Sequence, residues 1–146
     1  MQKPNIVSDI MSRAIFTIYE EENLTGVESG MQHFRFRHLP VVDGSKLVGL
    51  ITHRSLLQVA ASSLEPGSEE RTERLREQLF ARDVMVRDVI TVSETTPLWE
   101  AGHLMWENKI GCLPVVTEAG VLVGIVTEAD FVQLAVRLLD DPRPLA

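Results

Sequence analysis

The sequence predicts a mixed α/β (α+β) chain made of two β-α-β-β-α half-domains related by an approximate two-fold axis. Two observations predict it. The first is a repeat held in register over three separated blocks: "DIMSRAIFTIYE" at 9–20 returns as "DVMVRDVITVSE" at 83–94, "HLPVV" at 38–42 as "CLPVV" at 112–116, and "GLITHRS" at 49–55 as "GIVTEAD" at 124–130. The offset is 74 for the first two blocks and 75 for the third, so one residue is inserted between Pro114 and Gly124. The second is that apolar periodicity switches between strand-like and helix-like in the same order in both copies. Two copies are too few for a solenoid, which leaves a pair of half-domains.

Each copy opens on a short segment ending in Asp-Ile-Met or Asp-Val-Met. Residues 14–19 and 89–93 are apolar and β-branched and predict the first strand of each repeat. Leu24, Val27, Met31 and Phe34 recur at helical spacing, as do Leu98, Ala101, Leu104 and Met105. Thr96 before Pro97 predicts an N-cap followed by proline at the first helical position. The paired runs "LPVVD" and "LVGLIT", and "LPVVTEAGVLVGIVT" in the second copy, predict hairpins. "RSLLQVAA" and "ADFVQLAVRLL" close the units as helices. The first repeat is expected over 7–62 and the second over 81–141, with a linker at 63–80. That linker holds a breaker-rich loop at 62–70 and a charged helix at 71–80, with Leu75 and Leu79 four residues apart.

Composition narrows the function. With 45% hydrophobic and 24% charged residues, the chain is expected to be soluble and folded. A net charge of −7 argues against nucleic acid or an anionic membrane as partner, since both demand a surplus of Lys and Arg. The start of the chain lacks the apolar core of a signal peptide, and no apolar run is long enough to span a bilayer. One cysteine, Cys112, fits a reducing cytoplasm.

The repeated phrase has a physical reading. A glycine inside a strand permits close approach of another backbone or a ligand. The threonine ends the strand, and the last polar residue lies in the first turn of the next helix. With the free N–H groups there they form a polar corner suited to hydroxyls and anions. Helix capping by Thr and Asp alone accounts for the same spacing without a ligand.

In order, and twice over, these blocks resemble a tandem cystathionine-β-synthase (CBS) domain pair, or Bateman module, from Val7 to about Leu139. The resemblance implies halves packed through their sheets and two clefts for adenosine-containing ligands such as AMP, ADP, ATP or S-adenosylmethionine. It also implies that each cleft takes its Thr-x-x-Asp segment from one repeat and the residues of the first strand and before "LPVV" from the other. The main cleft would then combine Thr127, Glu128 and Asp130 with Phe16, Thr17, Arg37 and His38. Asp130 would hold the ribose, Phe16 flank the adenine, and Arg37 with His38 face a phosphate. Glu128 would place negative charge near that phosphate, which disfavours a triphosphate. The second cleft would combine Thr52, His53, Arg54 and Ser55 with Ile90, Thr91, Gly111 and Cys112. There Ser55 stands where the family has aspartate, and Gly111-Cys112 offers no cation, so this cleft is expected to be the weaker.

Other chemistries find less in the sequence. The four histidines lack zinc-site spacing, so no metal is expected. Cys112 reads as a small buried hydrophobe rather than a nucleophile. No acid–base pair is signalled, so no enzymatic activity and no catalytic cofactor are expected. Trp99, Met105 and Trp106 on one helix, and Phe131, Val132, Leu134, Ala135, Leu138 and Leu139 on the last, form an apolar surface that a two-fold pairing of helices from both repeats would bury in a homodimer. The resemblance implies a regulatory sensor acting on a partner protein in trans. The alternative is a structural dimerisation module with vestigial clefts.

Overall fold

The computed structural model describes residues 3–34, 37–60, 70, 74, 77–139 and 142–143. The chain divides into two compact units, one formed by residues 16–89 and the other by 1–15 together with 90–146. The leading segment of the chain therefore belongs to the unit of the second repeat.

In the 16–89 unit the order is β1 (Ile18–Tyr19), α1 (Leu24–Phe34), β2 (His38–Asp43), β3 (Lys46–Thr52), α2 (His53–Ala60) and a short α3 (Ala81–Val84). Strand β2 is central, parallel to β1 and antiparallel to β3. Helix α1 starts where Asn23 Oδ1 accepts the Gly26 N–H at 2.9 Å, an N-cap. Its apolar stripe, Leu24, Val27 and Met31, packs with Ile18, Leu39, Val41, Ile51 and Leu56 into one core. Full burial of each such side chain stabilises the unit by roughly 1.5–3 kcal/mol before entropy costs. Gly44, at φ 61°, opens the two-residue turn between β2 and β3. Of the connecting helix expected at 71–80, Arg74, Glu77 and Gln78 are helical and Leu79 and Phe80 are not, whereas 71–73, 75 and 76, with Leu75, lie outside the described residues. So does most of the expected loop at 62–70, of which Glu70 is helical.

In the other unit a 3-10 turn (Val7–Asp9) precedes α4 (Leu98–Asn108), β4 (Cys112–Val116), β5 (Leu122–Thr127) and α5 (Glu128–Leu138). Strands β4 and β5 form an antiparallel hairpin. Leu98, Ala101 and Met105 bury with Val7, Val92, Leu113, Val115 and Val126. These three helix positions match Leu24, Val27 and Met31 of the first repeat, so the two cores are built by one pattern.

The first strands are much shorter than the sequence suggested. Instead of 14–19 there is a pair at Ile18 and Tyr19, and instead of 89–93 a single parallel bridge from Val92 to Val115. Proline explains both. In register, Thr17 and Thr91 would face Pro40 and Pro114, which lack the N–H needed to continue a parallel ladder. Leu50, opposite Pro40, exchanges both backbone bonds with Val86 at 2.9 Å, so the missing donor of Pro40 belongs on the β1 side.

Two further details depart from expectation. Helix α4 begins after Pro97, not Thr96, and Thr96 Oγ1 instead accepts the Ser93 N–H at 3.0 Å, closing the preceding turn. Both hairpins carry a register shift, between Val41 and Val42 and between Val115 and Val116, which leaves Val48 and Val123 without a ladder partner.

The repeat's glycines lie directly after these bulges, and the Asp-x-Met segments use them reciprocally. Met85, which opens the second repeat, lies over Gly49 of the first; Met11, which opens the first, lies over Gly124 of the second. Backbone bridges Leu50–Val86 and Ser12–Ile125 fasten each segment beside its glycine. The aspartate two residues before each methionine caps the turn it ends: Asp9 Oδ2 accepts the N–H groups of Asn5 and Ile6, and Asp83 Oδ2 that of Phe80.

Candidate functional site

The strand–helix junctions at Thr52 and Thr127 are capping boxes of different chemistry. At the second, Asp130 Oδ2 accepts the Thr127 N–H at 2.8 Å and lies 3.2 Å from Thr127 Oγ1, which donates to it. At the first, Thr52 Oγ1 accepts the Ser55 N–H at 3.2 Å, and the two hydroxyls stand 3.2 Å apart. The capping expected of the Thr-x-x-polar spacing is thus observed in both. Both bonds at Asp130 converge on one oxygen. A carboxylate has a second oxygen with its own lone pairs, able to accept from a diol. Ser55, buried, offers a single hydroxyl that is already paired with Thr52.

Register brings the residues before "LPVV" to these junctions. His38 pairs with Thr52 across the β2–β3 ladder, and the His53 N–H donates to the Arg37 carbonyl at 3.0 Å. Cys112 pairs likewise with Thr127, and the Glu128 N–H donates to the Gly111 carbonyl at 3.1 Å. One orphan N–H of each helix start is so satisfied by the chain itself. The two corners differ in charge. The first gathers Arg37, His38, His53 and Arg54 around Thr52 and Ser55; the second gathers Gly111, Cys112, Glu128 and Asp130 around Thr127.

The remaining candidates fall as follows. Phe16 is 37% exposed and belongs, with Thr17, to the unit that carries Arg37 and His38. Ile90 and Thr91 are partly buried and belong to the unit that carries Thr127 and Asp130. Each expected ligand set thus draws residues from both units. Cys112 is buried, and desolvation pushes its thiol up to about 12, so it is held as the neutral thiol. Among the described residues no group of three or more His, Cys, Asp or Glu is placed to hold a metal. No described helix is long and apolar enough to cross a membrane.

The apolar surface proposed from sequence is partly corrected. Met105 is buried, and Phe131 and Leu134 pack half-buried against the core. Trp99, Trp106, Val132, Leu138 and Leu139 are exposed. Trp99 meets His103 edge-on at 6.1 Å between ring centres.

The CBS domain family model matches residues 7–62 and 81–137. A CBS domain-containing protein of Dictyostelium discoideum is 32% identical over 141 residues, covering 95% of this chain and 97% of its own. The inosine-5'-monophosphate dehydrogenase of Thermoplasma acidophilum is 34% identical over 123 residues, 84% of this chain but only 22% of the enzyme. Among solved structures, the CBS domain pair of protein MJ0100, in complex with 5'-methylthioadenosine and S-adenosyl-L-methionine, superposes with a TM-score of 0.75. It is 28% identical and covers 90% of this chain and 97% of that one.

Proposed function

The chain belongs to the CBS domain family, and on that premise we propose that it is a regulatory sensor of an adenosine-containing ligand, acting on a partner protein in trans. One observation carries the reading: Asp130 ends its Gly-x-x-Thr-x-x-Asp phrase as a half-buried carboxylate held by Thr127 through one oxygen. A ribose presents two neighbouring hydroxyls, and an ionised acceptor holds each by a charge-assisted bond worth about 1.5–3 kcal/mol. The relative MJ0100 binds two ligands of this class, which supports the same class here.

In this reading Phe16 and Thr17 flank the base, Arg37 and His38 face a phosphate with Glu128 nearby, and Thr127 and Asp130 receive the ribose end. Thr52, His53, Arg54 and Ser55, with Ile90, Thr91, Gly111 and Cys112, form a second cleft of lower affinity. The module binds rather than transforms its ligand, works in the cytoplasm, and pairs as a homodimer through exposed apolar side chains of the second repeat. Calorimetry against AMP, ADP, ATP, S-adenosylmethionine and NAD tests it. Saturable binding of an adenosine ligand at micromolar concentration is expected; no heat with any of the five would leave dimerisation alone as the function.

A further inference from the structure

Three of the methionines among the described residues, Met31, Met85 and Met105, are buried, at 4%, 8% and 7% exposure. Met11 differs: it packs half-buried at the edge of the second core, where solvent still reaches it. Its Sδ would lie 2.6 Å from a Cβ at Gly124, and the Ser12 carbonyl 3.1 Å from the same point, so the seat has no room for even a methyl group. Val7, fully buried, anchors the start of the leading segment, and Met11 is the apolar anchor of its end. Beyond Met11 the segment is held by the two Ser12–Ile125 backbone bonds and by Arg13, which pairs with Glu94 at 3.0 Å. That ion pair is well exposed and contributes little.

We propose that Met11 is a site of reversible oxidation, and that its sulfoxide releases the end of the leading segment from the second repeat. The reactant is a peroxide. A lone pair of Met11 Sδ attacks one peroxide oxygen; an S–O bond forms as the O–O bond breaks, and the leaving hydroxide takes the proton of the transferred oxygen to become water. Sulfur loses two electrons and the peroxide gains them. A dithiol-dependent methionine sulfoxide reductase reverses the step: the oxygen leaves as water and the dithiol becomes a disulfide.

The sulfoxide does not fit where the thioether did. It adds an oxygen to a sulfur that already fills its space, and that oxygen is a strong acceptor at the edge of an apolar core. The near backbone donor is taken, because the Ile125 N–H donates to Ser12 at 3.0 Å. Reaching water instead draws the side chain off its glycine. Past Arg13, residues 14 and 15 lead directly to Phe16 and Thr17, where the chain enters the other compact unit. The last step rests on the adenosine reading above: Phe16 and Thr17 flank the base there, so loosening the segment before them lowers ligand affinity. Oxidant and ligand then act on one site.

Arg13 supplies the readout, because trypsin cuts after it only when the segment lifts. In the full chain under mild hydrogen peroxide, peptide mass mapping should find oxygen on Met11 ahead of Met31, Met85 and Met105. Trypsin should then cut after Arg13 roughly tenfold faster than in the reduced protein, and the reductase should restore the slow rate. Met11→Leu keeps an apolar side chain without the sulfur and should show neither change, its thermal melt reporting that it folds. If leucine does not fit the seat, reversal of the wild-type protein by the reductase decides alone. Oxidation of Met11 only together with the buried methionines, or a cutting rate that oxidation leaves unchanged, overturns the proposal. Calorimetry with the five ligands above keeps the two readings apart. Affinity that falls roughly tenfold on oxidation supports the coupling, and unchanged affinity overturns it. No heat with any ligand in either form strikes the adenosine reading, while the tryptic rate still decides whether Met11 holds the segment.

Discussion

Met85 lies on Gly49: a Cβ built at Gly49 would fall inside the van der Waals envelope of the Met85 side chain, from Sδ back to Cβ. The relation returns in the second repeat, where Met11 Sδ would be 2.6 Å from a Cβ at Gly124. The glycine of each repeated phrase is therefore a seat for the methionine that opens the other repeat. Gly49→Ala should destabilise the protein by about 1–3 kcal/mol, the usual cost of overpacking. Met85→Ala leaves a cavity instead, and the double variant should lose less than the sum of the two. Urea melts of the four proteins measure that coupling; additive losses would show that the two side chains do not share one space.

The cap at Asp9 should show in the pH dependence of stability. The backbone N–H groups of Ile6 and Asn5 hold its carboxyl below the ordinary value of 3.8. A carboxylate whose pKa is lower when folded stabilises the native state above the unfolded value and loses that contribution as pH falls through the folded one. Asp9→Ala should therefore be less stable than wild type at neutral pH, and the difference should shrink as pH drops below about 3.8. A difference that is the same at pH 7 and pH 2.5 would mean that the charge is not what caps the turn.

Cys112 should behave as a buried hydrophobe. Its thiol, pushed up to about 12 by burial, holds almost no thiolate at pH 8. Iodoacetamide should modify it only as fast as the protein unfolds, and quickly in guanidinium. Because the unfolded thiol ionises first, stability should also fall as pH rises from about 9 toward 12. Rapid alkylation of the folded protein would place the sulfur in contact with solvent.

The helical faces were the most legible part of the sequence. Leu24, Val27 and Met31, like Leu98, Ala101 and Met105, were placed by spacing alone and are buried. Strand length was not legible, because β-branched runs at 14–19 and 89–93 do not reveal that the partner strand lacks a donor at Pro40 and Pro114. Helix starts were read by residue type, which found Thr127 and missed Asn23, although the helix after it was legible, and Asp9, whose carboxylate caps its turn from the turn's last residue. The glycines were read as places of close approach, yet nothing local says that Met85 and Met11 fill them. The polar corners were half legible: Thr-x-x-polar fixes its own box, but that Arg37 stands beside His53, and Gly111 beside Glu128, follows from strand register.

The two boxes should differ in ligand binding. Asp130→Ala removes an ionised acceptor and should weaken an adenosine ligand by about 1.5–3 kcal/mol. Ser55→Ala removes one neutral hydroxyl already bonded to Thr52 and should cost less. Both variants lose a cap, so calorimetry is done well below their melting temperatures. Equal losses, or a larger one at Ser55, would assign the principal cleft to the first junction instead.

Arg37 supplies the last test, because its two candidate partners predict different ligand dependence. Its carbonyl is engaged by the His53 N–H, which fixes the backbone beside Thr52 and leaves the side chain exposed at that corner. If the guanidinium faces the phosphate of the ligand held by Asp130, Arg37→Ala should weaken AMP by about 1.5–3 kcal/mol and adenosine far less, since adenosine has no anion to hold. The loss should shrink with added salt only slightly if the pair is shielded from water, and strongly if it is exposed. If Arg37 serves the Ser55 corner instead, the variant should leave the stronger site untouched for both ligands. Titrating AMP and adenosine into one preparation of the variant separates the two, and equal affinities to wild type for both would remove Arg37 from the principal cleft.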